Sequence, residues 1–178
     1  MADTTDLTLP DLLGELELAR GWSHALVADL DPDQVAWRPH EESSAIAWHL
    51  GHQAVVAHFM IRNLTAAEPS FDPVLDRLFD SATEEPDRGA LPALDELMAY
   101  RTSIAESVDR TIRRIDAGDM GAPEQLSIVA ATLLRSLVYH EYQHATWMRE
   151  VRETLTDTPS PEPESQRLTN IQGYWMLT

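Results

Sequence analysis

A chain of 178 residues with 43% hydrophobic and 24% charged side chains has the size and make-up of one globular domain with a core of its own. Its net charge of −17 argues against the basic surface that phosphate binding needs, so nucleic acid is not an expected partner and an anionic membrane is disfavoured. The chain has no cysteine, and its 13 basic residues are all arginine; thiolate ligands, a cysteine nucleophile and Schiff-base chemistry are therefore excluded, and any metal must be held by His, Asp or Glu. No apolar run approaches the ~18 residues of a membrane span. The opening Met-Ala-Asp-Thr-Thr-Asp has no basic stretch leading into an apolar one, so the expected location is cytoplasmic.

Helical periodicity predicts four long helices. The first runs from about Leu9 to Leu30, with Leu12, Leu13, Leu16, Ala19, Trp22 and Leu26 on one face. Pro10 suits its first turn, and Asp31-Pro32-Asp33 is read as its end. Ser43 or Ser44 is the expected N-cap of a second helix, from Ala45 to about Leu64. A long connection follows, bounded by Pro69 and Pro73, with a short helix expected over Val74 to Phe79. Connections of this length are unusual in compact helical domains and often cover a site. The third helix is expected from Pro92 to about Ile115, broken by Gly118 and Gly121, and the fourth from Pro123 to about Thr154. Residues 155–178 form a proline-containing acidic tail, whose apolar end Gly173-Tyr174-Trp175-Met176-Leu177 is expected to dock on the helices. No strand-period alternation stands out. The prediction is an all-α bundle of four helices over residues 1–154.

The chemistry gathers on histidines. His140 and His144 are four residues apart, so their rings stack on one face of a helix and can reach a single cation. Both fall on the apolar line through Ala130, Leu133, Leu137, Met148 and Val151, where two metal-free imidazoles would each need a buried hydrogen-bond partner. On the second helix His49 and His52 are three apart, and both can face inward. One is read as a ligand and the other as its support or a substrate contact. His52 aligns with Ala45, Val56 and Phe59, which points it at the core, and Gly51 beside it permits close approach of another helix. His24, His40 and His58 are single and scattered. Trp48, Trp147 and Tyr142 lie near the candidate ligands and are expected in the core or lining an apolar pocket.

His140-Glu141-Tyr142-Gln143-His144 also fits the HExxH pattern of zinc metalloproteases, in which the glutamate is the general base. The third ligand of such a protease would have to come from Glu162 or Glu164, which sit among prolines rather than on a helix.

Ser44-Ala45-Ile46-Ala47-Trp48-His49-Leu50-Gly51-His52, preceded by Trp37-Arg38-Pro39, together with the His140/His144 pair, resembles the DinB/YfiT-like superfamily over residues 9 to 154. The resemblance implies a DinB-like four-helix bundle, commonly homodimeric, with one divalent metal held by His52, His140 and His144. The metal could be zinc, nickel or iron, since three imidazoles accept each of them. Within the superfamily, His140-Glu141-x-Gln143-His144, Arg88-Gly89 and Tyr100-Arg101 resemble the N-terminal domain of ergothioneine sulfoxide synthases, although Thr146 stands where that family has a glutamate. Other members are thiol-dependent transferases and isomerases, in which a metal activates mycothiol or another low-molecular-weight thiol. That likeness implies a small-molecule substrate, supporting roles for Glu141 and His49 in catalysis, and Arg101 and Tyr142 as contacts to the thiol or substrate. Iron-dependent oxidation, HExxH-type hydrolysis and a non-catalytic metal-binding stress protein are the alternatives.

Overall fold

The computed structural model describes residues 7–65, 69–80 and 91–178. Four long helices dominate: α1 (Leu9–Ala25), α3 (Ile46–Thr65), α5 (Leu94–Asp116) and α6 (Pro123–Leu155). Two short helices, α2 (Pro32–Ala36) and α4 (Pro73–Leu78), lie in the connections. A hairpin of β1 (Leu168–Ile171) and β2 (Tyr174–Leu177) ends the chain. The protein is mostly helical, with this one small sheet among the described residues. Arg88 and Gly89 lie outside them. No described helix is long and apolar enough to cross a membrane.

The helix starts follow from local chemistry. Thr8 caps α1 in a reciprocal box with Asp11, with Pro10 in the first turn. The expected continuation of α1 to Leu30 is corrected: the helix stops at Ala25, and Asp31-Pro32 opens α2 rather than closing α1. Asp31 accepts from the Gln34 amide and Pro32 takes the first helical position, a start signal that was read as a stop. Leu26 and Leu30 are still buried, so the apolar line outlives the helix. Ser43 bonds the backbone of His40 in the turn before α3. At the end of α5, Gly118 has φ 77°, and the amides of Gly118 and Asp119 reach back to the carbonyls of Ile115 and Arg114. That is the double closure that a left-handed glycine makes possible.

The core forms where α1 packs on α6 and α3 packs on α5 and α6. Leu12, Leu16, Leu50, Ile61, Leu97, Ile104, Leu137 and Met148 are all buried in it. A polar cluster crosses this core. Gln53 of α3 donates to Ser23 of α1 and to the Glu141 carbonyl of α6, both at 3.0 Å, and accepts from Arg101 of α5 at 2.9 Å. All four long helices meet at that one amide. At the far end of α6, buried Arg152 makes a two-pronged pair with Asp29 at 2.6 and 2.9 Å and donates to the Leu26 carbonyl.

The hairpin corrects the expectation of a strand-free chain. Leu168 pairs with Leu177 and Ile171 with Tyr174, leaving Gln172-Gly173 as a two-residue turn. Both turn residues have positive φ, 55° and 91°, which matches the twist of the strands it joins. The polar stretch Arg167-Leu168-Thr169-Asn170 carries no alternating signal, and Gln at a left-handed position is not an expected turn residue. The tail lies along α1. The Trp22 indole donates to the Pro161 carbonyl at 2.7 Å, Ser165 donates to buried Glu15 at 2.6 Å, and Trp175 meets Trp22 edge-on.

Candidate metal centre

Three imidazoles from two helices converge on one point. One ring nitrogen each from His52, His140 and His144 lies within 4.8 Å of the others, an arrangement able to hold a metal ion. The ring centroids are 4.4 Å apart for His140 and His144, 4.8 Å for His52 and His144, and 5.2 Å for His52 and His140. His52 and His144 are buried and His140 half-buried.

Two of the rings are held by a hydrogen bond at Nδ1. Nδ1 of His52 bonds the Phe79 carbonyl at 2.7 Å, and Nδ1 of His144 bonds Nδ1 of His49 at 2.8 Å. A hydrogen bond on one ring nitrogen is how protein groups fix the tautomer and orientation of a metal-binding histidine. Nδ1 of His140 is buried with no hydrogen-bond partner. Burial, then the neighbouring His52, pushes the His140 ring down to about 4. Burial, followed by His140, His49 and His52, pushes His144 well below the ordinary imidazole range. At neutral pH both rings are uncharged with a lone pair to give, the state a metal requires. Two uncharged imidazoles and an orphaned buried nitrogen on His140 fit a bound cation.

The long connection supplies part of this centre. α4 starts on Asp72, whose carboxylate accepts from the Val74 and Leu75 amides. Asp76 takes hydrogen bonds from Ser70 and, at 2.6 Å, from the Tyr100 hydroxyl of α5. Burial and Asp76 together raise the Tyr100 phenol far above its ordinary value, so it stays a donor. The anchored turn delivers Phe79, fully buried, onto α3. Its ring fills the space where a Cβ on Gly51 would sit. The expected helix-to-helix approach at Gly51 is thus corrected to an approach by the connection, which the spacing alone could not distinguish.

A family model described as the DinB superfamily matches residues 15–148. The chain belongs to the DinB superfamily. No curated protein matches it. The matched span of this DinB-superfamily chain contains all three clustered histidines and most of the four long helices.

Aromatic rings frame the cluster. Trp48 stacks on His52 at 4.6 Å with planes 11° apart. Trp147 stands edge-on to His144 at 4.8 Å and is 40% exposed. His49, buried, lies between Trp48 and Trp147. The remaining candidates are placed elsewhere. Glu141 turns from the histidines to Arg101 at 3.6 Å and Arg20 at 3.9 Å. Arg101 is buried against the Leu50 carbonyl, Gln53 and Glu141. Burial lowers both guanidinium groups and the Glu141 charge opposes it. Tyr142 is fully buried against Trp22. Phe59, expected on the core line with His52, is 58% exposed. His24 lines a cavity of about 120 Å³ with Arg20, Arg101 and Glu141; burial, then Arg101 and Arg20, push its ring to about 4. His58 is buried with its ring against Phe71, and His40 sits in the exposed turn before α3. Sequence reasoning missed Phe79, whose contribution is a backbone carbonyl and leaves no side-chain signature.

Proposed function

We propose that this DinB-like four-helix bundle is a metal-dependent enzyme with His52, His140 and His144 as the ligands of one divalent ion. The observation that carries the reading is the convergence of three ring nitrogens, two of them on rings held in place by hydrogen bonds. The activity we assign is thiol-dependent transfer or isomerisation on a small molecule. A chain without cysteine takes its nucleophile from a low-molecular-weight thiol, mycothiol or a relative. The bound ion supplies the positive charge that lets such a thiol ionise at neutral pH. The protein does the rest. His49 holds the His144 ring, the Phe79 carbonyl holds His52, and Trp48 and Trp147 keep the approach apolar, which favours a thiolate over water at the centre.

Glu141 supports this reading against hydrolysis. A glutamate acting as base on a metal-bound water must face the metal, whereas this carboxylate is neutralised by Arg101 and Arg20. Thr146, where ergothioneine sulfoxide synthases have a glutamate, spends its hydroxyl on the Tyr142 carbonyl at 2.8 Å.

The test is elemental analysis of protein purified without a histidine tag, for wild type, His52→Ala and His49→Ala. Wild type should carry one equivalent, His52→Ala none, and His49→Ala an equivalent bound about 10–100-fold more weakly, as for other partners of metal ligands. Full retention in His52→Ala would end the assignment. Zinc or nickel directs assays to thiol transfer, iron to oxidation.

A further inference from the structure

The cavity beside His24, of about 120 Å³, opens between α1, α3, α5 and α6, which contribute Arg20, Ala54, Arg101 and Glu141 to its lining. That is well above the roughly 10–15 Å³ that one water needs. Its inner charges are sunk in the protein: Arg101 and Glu141 are buried, and the Arg20 side chain is 11% exposed. Arginine keeps its proton inside a protein, so two guanidinium charges share one buried carboxylate. A buried charge without a full partner is strongly destabilising. The other acids that act here lie toward solvent, where their charge is screened. Glu106 lines the cavity but is exposed. Glu17 and Asp109 act on Arg20 less than Glu141 does; Glu17 is exposed and Asp109 is paired with Arg113.

The inner pairing is also incomplete. Glu141 stands 3.6 Å from Arg101 Nη2 and 3.9 Å from Arg20 Nε, beyond hydrogen-bond range. Nη1 of Arg101 is committed to the Leu50 carbonyl and to Gln53. Its Nε is buried with no hydrogen-bond partner, and so is Oε2 of Glu141. One orphan is a donor on a cation and the other an acceptor on an anion, and both residues line the same cavity. Nε–H and the adjacent Nη2–H form one edge of the guanidinium plane, the fork that matches two oxygens of a planar oxyanion. The His24 ring adds a further N–H without adding charge, since burial, then Arg101 and Arg20, push it to about 4.

We infer that this cavity is a site for a small planar monoanion that carries one hydroxyl, of the size and chemistry of bicarbonate. Two of its oxygens accept from the Arg101 edge, and its hydroxyl donates to Oε2 of Glu141. Such an ion satisfies both orphans, completes the neutralisation of the two arginines and ties α1 to α5 beside Glu141. None of the three clustered histidines lines this cavity, so the site does not rely on a metal.

The probe is sodium bicarbonate, added in sealed tubes at mildly alkaline pH to the full chain with and without prior chelation. Sodium nitrate runs beside it, with the same planar shape and charge but no hydroxyl to donate. The readout is the 15N signal of the arginine Nε groups, with Arg152, locked to Asp29 at the far end of α6, as internal control. The Arg101 signal should shift to saturation with bicarbonate in both preparations while Arg152 stays put. Nitrate should bind at least tenfold more weakly, because it leaves the Glu141 oxygen unpaired. Glu141→Gln should bring the two anions within about twofold of each other. Ala105→Phe, which fills the cavity and keeps every charge, should abolish the shift. Circular dichroism identifies a variant that fails to fold, and the comparison of bicarbonate with nitrate in wild type decides without either. No saturable shift at Arg101 would overturn the inference and leave the cavity to water. Equal binding of nitrate in wild type, or a shift that persists in folded Ala105→Phe, would overturn it as well. So would a shift that vanishes on chelation, by placing the anion on the metal.

Discussion

Replacing Gly51 with alanine tests how the connection builds the centre. The added methyl falls within the Phe79 ring, and Phe79 has no exposed surface through which to escape. Overpacking a buried site by one carbon costs about 1–3 kcal/mol, which in a chain of this size lowers Tm by roughly 4–8 °C at the middle of that range. Relief requires the ring and its carbonyl to move off α3, and the carbonyl is the partner of His52 Nδ1 at 2.7 Å. Losing such a partner weakens metal binding about 10–100-fold. Differential scanning fluorimetry on metal-free protein reads the first effect, and zinc titration against a competing chelator reads the second. Phe79→Leu in the same background should restore part of both, since a smaller side chain makes room for the methyl, and the double-mutant cycle measures that coupling. If Gly51→Ala keeps both the melting temperature and the zinc affinity of wild type, the connection does not buttress His52 and the reasoning is wrong.

Glu141→Gln should leave metal stoichiometry intact while costing about 3–5 kcal/mol, because it leaves Arg101 and Arg20 without their shared buried anion; urea denaturation measures the loss, and disappearance of bound metal would place Glu141 in the centre after all. Metal-free protein should lose stability as pH falls from above 6.5. The unfolded chain takes up protons on His24 and His140 near 6.5, whereas the folded rings resist them down to about 4. Each contributes about 2 kcal/mol of loss by roughly pH 5, before ordinary carboxylates titrate. Denaturation curves flat between pH 7 and 5 would refute the burial of these rings.

Much of the fold was legible because it rests on periodicity. The apolar lines of Leu12–Leu16–Ala19 and Leu137–Met148 put the right faces inward, and Gly118 follows the end of α5 where a break was expected. Failures occurred where one local signal has two meanings. Asp31-Pro32 serves equally as a stop and a start, and only the packing of Leu26 and Leu30 without a helix decides it. Phe59 follows the pattern of a core residue and still faces outward. The histidine cluster showed in its spacing, but its supports did not. Phe79 acts through its carbonyl, and Tyr100 through an aspartate twenty-four residues upstream on a separate turn.

The amide of Gln53 sets a condition on the rest of the sequence. A core built from leucine and alanine is permissive: a helix may rotate by one position or slide by a turn and still bury a comparable amount of oil. Gln53 is not permissive, because Ser23, the Glu141 carbonyl and Arg101 satisfy it in one arrangement only. In a slipped packing these groups stay buried and unmatched, at about 1–3 kcal/mol each. The neighbours of this lock in the chain are His52 and His140. Substitutions spread across the apolar core can therefore accumulate while the alignment of the histidines is held, so long as that one side chain and its three partners persist.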